Sequence, residues 1–214
     1  RTPLSIVLGY ASEIEDTVSL PEATRKQAGI IRRYSEKLKN LVADLNLTTK
    51  LEYSIQPLQK QKIDPVELAR QVVSEVLNDG ISELYELELS EDNPGKNLSL
   101  VGDQALLSRM LNNLIRNCIV HNPDGCTIQV SVGSCDAMCT FSVTDNGYGI
   151  SEPQLNALNS GKDISSTQKQ TGETEHGLGL KIVMQIVKAH QGIIQFADTI
   201  PHGLSIHISL PMKL

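Results

Sequence analysis

Asn113 and Asn117 stand four residues apart in DQALLSRMLNNLIRNCIVH, so on a helix both amides project from one face. Asn is a weak helix former, and propensity alone does not explain two in such a run. Their oxygens suit a hard cation such as Mg2+, which keeps most of its waters and leans on a substrate's phosphates; two plain surface amides are the equal alternative. A second stretch, DNGYGI at Asp145–Ile150, places an acidic residue before Gly147 and Gly149. That turn holds a nucleotide, a metal, or nothing beyond a bend. A carboxylate at a strand end can accept from an exocyclic amine, and the glycines let backbone approach a flat base. A third stretch, HGLGLKIV, sets Gly177, Leu178 and Gly179 at the opening of a helix, whose free N–H groups and positive end would face a phosphate. Between the last two lies SGKDISSTQKQTGETEH, long, polar and without apolar periodicity, which reads as a functional lid or a disordered loop.

The elements that must position these residues follow from periodicity. TFSVTD alternates as a strand running into Asp145, and TIQVSV before it completes a hairpin around the Gly133–Met138 turn region. YELELS and LSLVGD read as strands, DPVELARQVVSEVLN as an amphipathic helix capped by Asp64, and GIIQFAD with LSIHISL as a closing strand pair. Helices with antiparallel-leaning strands in this order predict a two-layer α/β sandwich.

The first 52 residues differ. Leu4, Val7, Leu8, Ala11, Ile14 and Val18 make one stripe, and after SLPE, where Ser19, Pro21 and Glu22 signal a helix start, a heptad seam runs through Ile31, Leu38 and Leu45 with Tyr34, Leu41 and Thr48. Such a helical hairpin cannot cover its own seam and should pair with a second copy as a four-helix bundle; packing on the chain's own second half is the alternative. Residues 53–65, with two prolines and much Gln and Lys, read as a linker or edge strand. The expected domains are therefore 1–52, a linker at 53–65, and 66–214.

Composition narrows the partners. With 40% hydrophobic residues among 214, the chain can bury a proper core, and no apolar run reaches the length of a membrane span. The net charge of −6 is uneven: residues 1–52 carry 8 basic and 7 acidic side chains, leaving 11 and 18 for the rest. That balance excludes nucleic acid as a direct partner, and a polyphosphate would have to be held by backbone N–H groups, helix ends and a divalent cation. Cys118, Cys126, Cys135 and Cys139 form no CxxC pair and read as reduced structural thiols.

The order of these motifs, N-x-x-x-N helix, DxGxG, polar lid, GLGL helix, then His190-x-Gly192 and a hairpin with Gly203, resembles the catalytic ATP-binding domain of sensor histidine kinases, within the GHKL (Bergerat) ATPase folds that include type II topoisomerases, Hsp90 and MutL. RTPLSIVLGY similarly looks like the end of an H-box. The resemblance implies an α+β chain: a dimerising hairpin, then a two-layer sandwich binding ATP and Mg2+. It implies that Asn117 ligates Mg2+, Asn113 assists catalysis near the phosphates, Asp145 accepts from the adenine amino group, and Gly147 and Gly149 shape that pocket. Gly177, Leu178 and Gly179 would lie under the triphosphate with Lys181 nearby, and Thr2 would act in dephosphorylation of the partner.

By the same resemblance the γ-phosphoryl group passes to a histidine on the hairpin and then to an aspartate of a response-regulator receiver domain. The phosphoacceptor would precede Arg1, so the chain as given is expected not to phosphorylate itself. The expectation is a cytoplasmic fragment of a homodimer, anchored in the bacterial membrane only through segments upstream. Val120, His121 and His176 depart from the family's pattern, and Lys181, Lys162 or Arg116 would have to supply the lost charge. Asn113, an amide where hydrolytic relatives carry a Glu, argues for phosphoryl transfer over hydrolysis. The alternatives are a degenerate nucleotide-binding or phosphatase module, and a serine kinase of the anti-sigma-factor type, which the RTPL hairpin disfavours.

Overall fold

The computed structural model describes residues 3–52, 57–92, 98–160 and 176–213, and divides the chain into two compact units, Arg1–Lys50 and Leu51–Leu214. The first unit is a helical hairpin. α1 (Pro3–Asp16) and α2 (Glu22–Glu52) are joined by a turn in which the Pro21 carbonyl accepts from Thr24 and Arg25 N–H at 2.9 and 3.2 Å. Pro21 therefore stands just before the helix, one step earlier than its expected place in the first turn. Small side chains face inward: Ala11, Ala28 and Ser35 are buried, while Ile31, Tyr34, Leu38 and Leu45 are each more than half exposed. Glu15 and Arg32 tie the two helices at 2.6 Å.

The second unit is built on a five-stranded sheet of order β2-β4-β5-β7-β6. Its strands are β2 (Tyr85–Glu91), β4 (Cys126–Cys135), β5 (Met138–Asp145), β6 (Ile193–Asp198) and β7 (Leu204–Pro211). A two-stranded sheet pairs β1 (Gln61–Ile63) with β3 (Leu100–Gly102). β1 thus uses the end of the stretch expected to be a linker or an edge strand. β4, β5, β7 and β6 are antiparallel neighbours, but β2 pairs with β4 in parallel. A parallel pair needs a long crossover, and α4 (Gln104–His121) lies between them in the chain and supplies it.

The core lies between one face of the sheet and the helices. α3 (Pro65–Asn78) begins at Asp64, whose carboxylate accepts from Val66 and Glu67 N–H. α4 buries Leu107, Met110, Leu111, Leu114, Ile115 and Cys118, the three- and four-residue steps of one stripe. α6 (His176–Ala189) adds Ile182, Val183, Ile186 and Val187. Against them, period two turns Ile128, Val130 and Val132 of β4 and Cys139, Phe141 and Val143 of β5 inward. The β4–β5 turn falls at Asp136–Ala137, both with positive φ, whereas Gly133 lies within β4. A short helix, α5 (Glu152–Asn159), follows the DNGYGI turn and opens with a Ser151/Gln154 capping box. Among the described residues no helix is long and apolar enough to cross a membrane.

Candidate functional site

Asp145 continues the inward series of β5, at a position where period two calls for an apolar residue. Its side chain is only 5% exposed. A buried carboxylate is costly without partners, and here one oxygen accepts the Gly147 N–H at 2.9 Å, with the Cys118 thiol close enough to feel the carboxylate's charge. Burial first, and the Asp145 charge second, push the Cys118 and Cys126 thiols up, so both remain neutral donors or spectators beneath the carboxylate. A carboxylate with so few fixed donors is suited to take an N–H from a ligand.

The turn after Asp145 is held on both sides. Asn122 Oδ1 accepts the Tyr148 N–H at 2.9 Å, Asn146 Oδ1 accepts the Thr127 N–H at 2.8 Å, and the Tyr148 hydroxyl donates to Asp124. From the other side, Thr199 donates to the Asp145 carbonyl at 3.2 Å and His202 Nδ1 to the Gly147 carbonyl at 2.8 Å. Gly149 has φ +68°, in the left-handed region, and lies against the Gly203 backbone. A side chain at Gly203 would overlap the Asp145 carbonyl.

Asn113 and Asn117 lie on α4, both partly buried. The Asn113 Nδ2 is sealed from solvent without a hydrogen-bond partner, a loss a protein normally repairs with a ligand or ordered water. Asn117 faces the first turn of α6: a Cβ built on Gly179 would stand 3.5 Å from its Oδ1. Amide oxygens and a helix N-terminus fit Mg2+ carried in with phosphates. Among the described residues no group of three His, Cys, Asp or Glu could hold a metal unaided.

α6 opens at His176 and takes Gly177 as its second residue; Leu178 is partly buried and Lys181 exposed. Thr2, Lys162 and most of the expected lid fall outside the described residues. Arg116, exposed on α4, bonds to Asn112 at 2.7 Å and Asp79 at 3.2 Å. His190 is a buried staple: Nδ1 donates to the Ile186 carbonyl and Nε2 accepts the Asp103 N–H at 3.0 Å, fastening the end of α6 to the start of α4. Burial holds its pKa below the usual imidazole value. All four cysteines are free, with Cys139 pushed up to about 12 by burial. The sequence singles out neither Asn122 nor Thr199, and it marks His202 as no more than a surface or packing imidazole. Only Asn122, five residues after Asn117 at the helix end, carried a local signal.

Residues 102–214 match the family described as Histidine kinase-, DNA gyrase B-, and HSP90-like ATPase. The chain belongs to that family. The matched part of this ATPase-family chain holds both asparagines, Asp145 and the α6 opening. Over 197 residues it is 29% identical to the sensor histidine kinase YvrG of Bacillus subtilis (strain 168), covering 91% of this chain and 33% of that one. It is likewise 29% identical over 214 residues to the probable sensor histidine kinase TcrY of Mycobacterium tuberculosis, 99% of this chain and 43% of the relative. The chain thus spans a third to under half the length of these curated relatives. Full-length ShkA in complex with AMPPNP has the same fold, with TM-score 0.77 and 24% identity across 99% of this chain and 43% of that one.

Proposed function

We propose that this chain comprises the dimerisation hairpin and the catalytic, ATP-binding domain of a two-component sensor histidine kinase. The observation that carries the reading is the convergence of an unpartnered buried amide at Asn113, the Asn117 oxygen beside the N-terminus of α6, and a buried carboxylate at Asp145. Relatives named as sensor histidine kinases along nearly the whole chain support it.

In this reading Asp145, oriented by the Gly147 N–H, accepts from the adenine amino group, and the turn through Gly147 and Gly149 shapes the pocket around it. The Asn117 oxygen is the Mg2+ ligand, and Asn113 reaches toward the phosphates. Mg2+, when bound, neutralises charge on the phosphoryl oxygens. Gly177 and Gly179 bring the backbone N–H groups of α6 close to the triphosphate, with Leu178 packing between them and Lys181 two residues beyond. Asn113 has no basicity with which to activate water, so the site favours positioning the γ-phosphoryl group for an incoming side chain. That side chain is a histidine on the dimerisation helix, from which an aspartate of a receiver domain takes the phosphoryl group, with Thr2 acting in the reverse dephosphorylation. The large exposed side chains of α2 form the contact with a second copy. The whole protein works at the cytoplasmic side of a bacterial membrane.

The test is incubation of the natural full-length protein with γ-labelled ATP and Mg2+. Acid-labile label that disappears in Asn117→Ala and Asp145→Ala is the expected result. A folded protein that binds ADP but takes up no label would leave a binding or phosphatase module in place of a kinase.

A further inference from the structure

We propose that Asn122 is a positioning residue of the nucleotide site, and that its amide, rather than backbone conformation, is what requires glycine at position 147. The proposal rests on the nucleotide-binding reading and concerns how the two halves of that site are kept in register. Asn122 ends α4 with φ −124° and ψ 68°, outside the helical region, and its side chain is 3% exposed. Both ends of the amide are used. Nδ2 donates to the Cys118 carbonyl at 2.8 Å, satisfying an orphan acceptor at the helix end, and Oδ1 accepts the Tyr148 N–H at 2.9 Å. One side chain thus links the helix that carries Asn113 and Asn117 to the turn that carries Asp145.

The same amide fills the space next to Gly147. A Cβ built there would overlap Asn122, whereas Gly147 is absent from the residues with positive φ, unlike Gly149 and Gly203. Gly149 is glycine because its backbone is left-handed; Gly147 is glycine because Asn122 occupies the room of a side chain. Since the Gly147 N–H also holds an Asp145 oxygen at 2.9 Å, displacing this turn displaces the carboxylate. A side chain at 147 should therefore harm the site only while Asn122 is present.

The experiment is a double-mutant cycle on the 214-residue chain, reading MgADP dissociation constants by calorimetry and melting temperatures without nucleotide. Gly147→Ala alone should weaken MgADP by about 10- to 100-fold, and in an Asn122→Ala background the added cost should fall below about threefold. Asn122→Thr is the second background: its shorter side chain opens the space, and its hydroxyl can still bond the carbonyl four residues back, which preserves the helix end if the Ala variant unfolds. An equal cost of Gly147→Ala in native and Thr backgrounds would overturn the proposal, because a merely structural Asn122 predicts additive losses. A folded native chain that does not bind MgADP would overturn the nucleotide-binding reading itself, and this inference with it.

Discussion

In the hairpin the inward side chains are small, Ala11, Ala28 and Ser35, while Ile31, Leu38 and Leu45 remain more than half exposed; in the α/β unit Leu107, Leu111, Phe141 and Ile208 are at most 1% exposed. The α/β unit closes its own core because two layers, sheet and helices, supply complementary apolar faces. Two helices supply only one thin seam, so the large residues of α2 are left for something outside the hairpin. Function divides along the same line in the proposed reading: the closed unit holds nucleotide rigidly, and the open one associates.

Truncating the closed core should have the largest effect. Phe141→Ala should destabilise the α/β unit by about 3–5 kcal/mol in thermal unfolding, with self-association through the hairpin unchanged. A loss of self-association in that variant would break the division. Next, Leu38→Glu combined with Leu45→Glu should shift the chain to monomer in sedimentation, weakening association by roughly 100-fold while the MgADP affinity stays as it was, since charges at a helical seam oppose pairing. Asp145→Ala should weaken MgADP by about 10- to 100-fold, the worth of a hydrogen bond to a charged group, and leave the sedimentation profile alone.

The smallest effects distinguish the units by pH. His190 is held neutral by burial, so its contribution to the α/β unit is complete above the ordinary imidazole value of 6.5 and is lost as pH falls below it toward the lowered folded value. Glu15 is lowered chiefly by its hydrogen bond to Arg32, so its contribution to the hairpin is present above 4.5 and disappears only as pH drops through the lower folded value. Melting followed by a probe in each unit should therefore show the α/β unit losing stability first on acidification. His190→Gln should flatten its slope between neutral and mildly acidic pH; an unchanged slope would remove His190 as the cause.

Much of this was legible from local pattern. The two hairpin helices, the Asp64 cap, the Asn113/Asn117 face, the strand into Asp145 and the helix opening near Gly177 all follow from spacing within one element. The misses have identifiable causes. α5 went unread although Ser151, Pro153 and Gln154 spell a helix start, because eight residues carry too little periodicity to compete with the loop signals around them. The parallel pairing of β2 with β4 is a long-range choice that alternation does not encode. His202 and Thr199 reach the DNGYGI turn from more than 50 residues away in the chain.

Local chemistry is written in the chain itself: periods of 3.6 and 2 select helix and strand, capping residues open helices, and Asn and Asp place polar groups at chosen points of those elements. What those groups do depends on neighbours brought in by packing. Asp145 is a buried carboxylate because the sheet encloses it beside Cys118, which is what suits it to the proposed role of ligand acceptor, and in the proposed account Gly147 is required because the end of α4 delivers Asn122 into the space of its missing side chain. Periodicity acts along the backbone over a few residues, whereas burial and steric exclusion act between segments far apart in sequence, and only the folded chain sets their distances.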